Sequence, residues 1–116
     1  MHELQIAQNI IIIVNEELVR RQVRKKVREI ALVIGQMRAI IPETLRFSFN
    51  IQKKRHTQLE ESELLIREND IVVKCNDCQH QFKIQEPQFY CQKCHSANIE
   101  ILSGNELYVD SIELAD

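Results

Sequence analysis

An α+β fold is what the sequence predicts: two helices packed on a small mixed sheet, with a four-cysteine unit inserted into it. Three observations carry this expectation. Residues 3–19 and 42–55 place apolar residues at helical spacing. Between them, Val27–Gly35 is β-branched and apolar on both faces, as a central strand requires. All four cysteines of the 116-residue chain fall between positions 75 and 94. With 44% hydrophobic and 28% charged residues, the chain suits one ordinary domain with a modest core.

The elements follow in order. In residues 3–19, Ile6, Ala7, Ile10, Ile11, Ile13, Val14 and Leu18 share a broad face, opposite Gln5, Gln8, Asn9, Asn15 and Glu16. Glu17 falls within the apolar arc, whereas Ile12 and Val19 lie at or beyond its edge. Residues 20–26 are basic and poorly patterned. In the strand, Ile30, Leu32 and Ile34 share one face, Ala31 and Val33 the other, and Gly35 ends it. Pro42 suits the first turn of the second helix and Glu43 the positive end of its dipole. Ile41, Leu45 and Phe49 form its expected core stripe, with Phe47 and Ile51 to one side and Lys53, Lys54 and Arg55 closing it. Glu63–Glu68 and Ile71–Lys74 are strand-like, interrupted by Asn69-Asp70 as a bulge or a tight turn. Ile99–Leu102 and Glu106–Leu114 are expected to form a hairpin around Gly104-Asn105.

The cysteines read Cys75-x2-Cys78, twelve residues, then Cys91-x2-Cys94. A two-residue gap lets both sulfurs of one tight turn reach one metal, and two such knuckles supply four thiolates for a tetrahedral Zn²⁺ at about 2.3 Å per bond. Four sulfurs close the coordination shell, so the expected role is structural; iron also suits a sulfur-rich tetrahedron. His80 and His95 flank the knuckles, either as replacement ligands or as donors to a thiolate. Lys74, Lys83 and Lys93 stand close in sequence to offset the negative charge of the bound site.

Composition excludes several classes. The apolar run Ile10–Val14 is five residues long, against the roughly 18–20 of a membrane span. No basic segment precedes it as in a signal peptide, so the expected location is cytoplasmic, with no membrane partner. No Trp and 5% aromatics argue against a stacking platform for single-stranded nucleic acid. Charge is uneven. Residues 20–55 hold eleven Lys/Arg and only two acids, Glu29 and Glu43, a balance of +9; with −2 overall, the rest carries −11. Three readings follow: a solvated face with intramolecular complementarity, a face for an acidic protein partner, or a phosphate-binding face on a zinc-ribbon nucleic-acid module. The sulfur unit itself is not basic, and we expect no nucleic-acid partner. Nor does the chain carry a His/Glu pair at helical ligand spacing, so an enzyme is not expected.

At the amino terminus, Met1-His2-Glu3 has a specific chemistry. The α-amine, the amide nitrogen of His2 and its Nδ1 form fused five- and six-membered chelate rings. The Glu3 amide, a carboxylate oxygen or water completes a tetragonal, nitrogen-rich set suited to Ni(II) or Cu(II). Met1-His2-Glu3-Leu4 opening an amphipathic helix, Ile41-Pro42-Glu43-Thr44-Leu45-Arg46-Phe47 opening the second, and the paired cysteines followed by Ser103-Gly104-Asn105-Glu106-Leu107 together resemble the HypA family across the whole chain. Two departures stand out: that family often has Ala-Phe at Ser48-Phe49, and Gln79–Tyr90 resembles no shared motif.

The resemblance implies a metallochaperone that binds Ni(II) as transient cargo and delivers it during maturation of nickel–iron hydrogenase, or in some organisms urease. It implies a nickel site at the amino terminus with His2 as ligand, to which the chemistry of the terminal residues adds Glu3 and the Met1 amine, and structural Zn(II) at Cys75, Cys78, Cys91 and Cys94. The implied partners are the hydrogenase-maturation GTPase and the hydrogenase large-subunit precursor, with the chain a monomer or weak homodimer. Residues 1–74 and 97–116 would form the nickel-binding α+β domain and 75–96 the zinc-binding domain.

Overall fold

The computed structural model describes residues 2–86 and 88–116. Helix α1 (His2–Arg20) leads into strand β1 (Val27–Gly35), a 3-10 turn (Gln36–Arg38), helix α2 (Pro42–Gln52) and a second 3-10 turn (Lys53–Arg55). Strands β2 (Glu63–Asn69), β3 (Ile71–Cys75), β4 (Gln81–Ile84), β5 (Ile99–Ser103) and β6 (Leu107–Leu114) complete the chain. The strands form two three-stranded sheets, ordered β2-β1-β6 and β4-β3-β5. The fold is the expected α+β, with β1 central, but the expected single sheet is divided in two.

The chain makes two compact units. The first comprises Met1–Val33, Ile40–Arg67 and Tyr108–Asp116. In it α1 packs against α2. Its core takes Ala7, Ile10, Ile11, Val14 and Leu18 from α1, Val27, Ile30, Leu32 and Val33 from β1, and Leu45 and Phe49 from α2, with Leu59 and Leu64. Two residues expected in the core lie outside it. Ile13 is 51% exposed, because the buried stripe centres on Ala7, Val14 and Leu18 and the residue before Val14 is turned about 100° away. Ile41 is 58% exposed, because it is the extended N-cap of α2 rather than a helical residue; its carbonyl accepts the Leu45 N–H at 3.0 Å. Ser48 is buried instead, and its hydroxyl accepts a hydrogen bond from Gln52 Nε2 at 3.2 Å. That bond satisfies the polar atom that the departure from Ala-Phe brings inside. Helix α2 tightens to 3-10 geometry after Gln52, and Lys53 crosses the Phe49 ring to donate to the Ser62 carbonyl at 2.6 Å.

The second unit comprises Ile34–Ala39 and Glu68–Leu107. Its sheet is antiparallel: Ile71 pairs with Ile84 and Lys74 with Gln81 on one side of β3, and Val73 pairs with Ile101 and Cys75 with Ile99 on the other, with a bulge between Val72 and Val73. The expected cysteine segment, 75–96, thus sits inside a larger unit that also takes β3, β5 and residues 34–39. The expected hairpin is corrected: β5 and β6 belong to different sheets. Gly104 does turn the chain, at φ +109°, but residues 34–38 occupy the place a partner strand would take. Gly35 N–H donates to the Glu106 carbonyl at 2.7 Å, Met37 N–H to the Gly104 carbonyl at 2.8 Å, and Arg38 Nε to the Asn105 carbonyl at 2.9 Å. A Cβ on Gly35 would lie 2.1 Å from the Gly104 backbone, so only glycine permits this approach.

Candidate metal centre

Each CxxC forms the same knuckle. In the first, Cys75 ends β3, the Gln79 N–H donates to the Cys75 carbonyl at 2.9 Å, and the Cys75 N–H donates to the His80 carbonyl at 2.9 Å. In the second, His95 N–H donates to the Cys91 carbonyl at 2.9 Å and Cys91 N–H to the Ser96 carbonyl at 2.8 Å. Gln79 and His95 hold the left-handed conformation at φ 66° and 64° that reverses each turn. His95 is thereby a backbone element of its knuckle, and the His80 carbonyl caps the other. Their rings turn to aromatic neighbours: His80 stacks on Phe82 at 5.5 Å, and His95 tilts against Tyr90 at 6.0 Å.

The four sulfurs gather with all Sγ atoms within 4.8 Å of one another. Cys75 lies 3.6 Å from Cys94, and Cys78 lies 3.5 Å from Cys91. These separations are too long for disulfides, and all four cysteines are free. They fit the edge of about 3.8 Å that a tetrahedron with metal–sulfur bonds of about 2.3 Å would have. Cys75 and Cys91 are buried, Cys78 is half-buried and Cys94 is exposed.

Electrostatics of the thiols point the same way. The backbone N–H of Cys94, with that of Lys93, pulls the Cys91 thiol down to about 6; these groups approach its sulfur at 3.4 and 3.3 Å. The Ser96 backbone favours the Cys94 thiolate, yet burial and the Cys75, Cys91 and Cys78 sulfurs outweigh it and push that thiol up to about 12. The His80 N–H likewise loses to burial and neighbouring thiols at Cys78, which is raised. One thiolate is stabilised and its neighbours resist ionising beside it; a divalent cation among them reverses that preference. Lys83 does not face this charge alone, since its ammonium pairs with Asp70 at 3.1 Å. Sequence reasoning passed over Asp77, Ser96 and Asn98, which bridge the knuckles through side-chain hydrogen bonds. Short polar residues inside and just after a CxxC were the available signal.

At the other candidate site, α1 begins at His2, one residue earlier than expected. His2 is exposed, whereas Glu3 is 6% exposed and accepts the Ile41 N–H at 3.3 Å. The Met1 amine, expected as a ligand, lies outside the described residues. Four cations of the basic segment are paired within its own unit: Glu17 binds Arg20 at 2.6 Å and Arg21 at 2.5 Å, Glu60 and Glu61 bind Lys26, and Glu113 pairs with Arg28. Among the described residues no helix is long and apolar enough to cross a membrane.

Comparison with known proteins is consistent over the whole chain. Residues 1–114 match the family described as "Hydrogenase/urease nickel incorporation, metallochaperone, hypA". The hydrogenase maturation factor HypA of Desulfatibacillum aliphaticivorans is 41% identical over 116 residues, covering all of this chain and 88% of its own length. That of Desulfosudis oleivorans is 35% identical, with both chains fully covered. The solution structure of the Ni metallochaperone HypA from Helicobacter pylori superposes with a TM-score of 0.69 at 26% identity, covering 97% of this chain and 96% of that one. A second HypA solution structure gives 0.73 at 27% identity, covering 99% and 97%.

Proposed function

The chain belongs to the HypA family of hydrogenase and urease nickel-incorporation metallochaperones, which are not enzymes, and from that membership we propose that it takes up Ni(II) as transient cargo at its amino terminus and delivers it during maturation of nickel–iron hydrogenase. The observation that supports this reading is the exposed start of α1 at His2. The first N–H groups of a helix have no intrahelical acceptor, so the His2 and Glu3 amides can serve as nitrogen donors without breaking a helical bond. His2 contributes its imidazole and amide, Met1 its α-amine, and Glu3 its amide. The buried Glu3 carboxylate, holding the Ile41 N–H, anchors the terminus against α2. Cargo held at an exposed terminus passes to an acceptor by ligand exchange through a shared coordination shell. The acceptors in this reading are the hydrogenase-maturation GTPase and the large-subunit precursor.

Cys75, Cys78, Cys91 and Cys94 would hold Zn(II) as a closed structural site, which contributes folding free energy and no open position for transfer. Nickel and zinc then occupy separate sites of different chemistry, one nitrogen-rich and open, the other sulfur-only and closed.

Calorimetric nickel titration of three proteins tests the reading: the untagged chain, an amino-terminally extended chain, and His2→Ala. Extension converts the α-amine into an amide, and His2→Ala removes the imidazole. Each should abolish specific nickel binding while zinc content and helical signal persist. Binding should also weaken in acid, because metal binding to nitrogen donors releases protons. Equal nickel affinity in all three proteins would remove the amino terminus from the mechanism.

A further inference from the structure

The two knuckles are joined by polar contacts that involve no sulfur. Asp77 lies inside the first, between Cys75 and Cys78. Its Oδ2 accepts the Ser96 hydroxyl, and its Oδ1 accepts Asn98 Nδ2 at 3.2 Å. The Asn98 N–H in turn donates to Ser96 Oγ at 3.0 Å, and the Asn76 N–H donates to the Asn98 carbonyl at 2.9 Å. Ser96 is itself locked into the second knuckle, where its carbonyl accepts the Cys91 N–H at 2.8 Å. One carboxylate, an acceptor at both oxygens, therefore ties the interior of the first knuckle to the segment leaving the second. The sulfur contacts Cys75–Cys94 at 3.6 Å and Cys78–Cys91 at 3.5 Å also join one knuckle to the other.

We propose that Asp77 is a positioning residue for the four-cysteine centre: by clasping Ser96 and Asn98 it holds the knuckles at the separation one divalent metal requires, and so slows exchange of the resident metal. The inference rests on reading the centre as a zinc site. A closed four-sulfur site exchanges its metal only after a thiolate swings away. Parting the knuckles far enough means breaking the clasp first. In a protein whose cargo is a different divalent metal, slow exchange keeps the structural position from being invaded.

The test is zinc release from the full-length, zinc-loaded protein into excess 4-(2-pyridylazo)resorcinol. Groups that orient metal ligands are worth about 10–100-fold in affinity, and Asp77→Ala should release zinc about 10-fold faster than the parent protein. Ser96→Ala, which leaves the Asn98 contact in place, should accelerate release by a smaller factor. Asp77→Asn, which keeps one acceptor oxygen, should fall between the parent and Asp77→Ala. The cobalt-loaded proteins supply a second readout: the visible ligand-field bands should shift in Asp77→Ala and return toward the parent in Asp77→Asn. A residue that merely stabilises the local chain would lower the unfolding midpoint and leave those bands unmoved. Parent-like release together with parent-like cobalt bands in Asp77→Ala would overturn the proposal. Should that variant fail to fold, parent-like release from both Ser96→Ala and Asp77→Asn overturns it equally. A parent protein that takes up no zinc would instead refute the reading of the centre.

Discussion

Glu106 turns its carboxylate back onto the turn before it. Its Oε1 accepts the Gly104 N–H at 2.7 Å and its Oε2 accepts Asn69 Nδ2 at 3.1 Å. Hydrogen bonds from its own backbone N–H, from that of Gly104 and from the Asn69 side-chain amide hold the carboxyl below its ordinary 4.5. A carboxyl depressed on folding contributes stability above its unfolded value, and that contribution is lost as pH falls through the lower folded value. Amide exchange at Gly104 should therefore stay slow above about pH 4.5 and accelerate below it, beyond the intrinsic pH dependence of exchange. Glu106→Gln, which has a single acceptor oxygen and cannot ionise, should already exchange faster at neutral pH and lose that acid step. A parent protein whose Gly104 protection is flat down to pH 3 would show that the carboxylate does not hold the turn.

At the scale of elements, α2 divides its aromatic residues by face. Phe49 is 0% exposed in the first unit's core, whereas Phe47, two residues earlier, is 67% exposed. Truncating a buried phenylalanine removes its transfer free energy and leaves a cavity, so Phe49→Ala should cost about 3–5 kcal/mol in chemical denaturation. Phe47→Ala should stay within about 0.5 kcal/mol, as surface substitutions do. Comparable losses in the two variants would contradict the helix orientation. The same logic governs α1, whose Ile10 and Ile11 face inward while Ile12 and Ile13 do not, although all are the same residue type. Residue type supplies hydrophobicity, and the helical phase decides which of four consecutive isoleucines uses it.

At the scale of the whole molecule, the two units differ in what stabilises them. Among the described residues, the buried side chains of the second unit are Ile34, Val73 and Ile84, with Cys75 and Cys91. So few apolar groups cannot offset the ordering of the unit's 46 residues, whereas a metal bound by four thiolates can contribute the balance. The first unit has a core built from both helices and β1. Removing the metal with a chelator, or replacing Cys91 with Ala, should abolish amide protection through β3, β4 and β5. Helical circular dichroism and protection in α1 and β1 should largely persist. Simultaneous loss of both regions would mean that the centre supports the first unit as well.

What the sequence determined by itself was local. Helical periodicity located α1 and α2, and β-branched residues apolar on both faces marked β1 from Val27 to Gly35 as a central strand. Cysteine spacing identified the knuckles, because two sulfurs two residues apart share a turn whatever surrounds them. The tertiary structure decided the rest. Gly104-Asn105 signals a chain reversal, yet strand pairing is a competition among all available edges: β3 takes β5, β1 takes β6, and residues 34–38 fill the place beside the turn. Ile41 reads as a core residue until its role as an extended N-cap turns it outward. The Cys75–Cys94 and Cys78–Cys91 neighbours, and the Asp77 clasp across them, join residues 13–21 positions apart. Periodicity and propensity act over a few residues, while contacts at that separation exist only after β3, β4 and β5 have assembled around them.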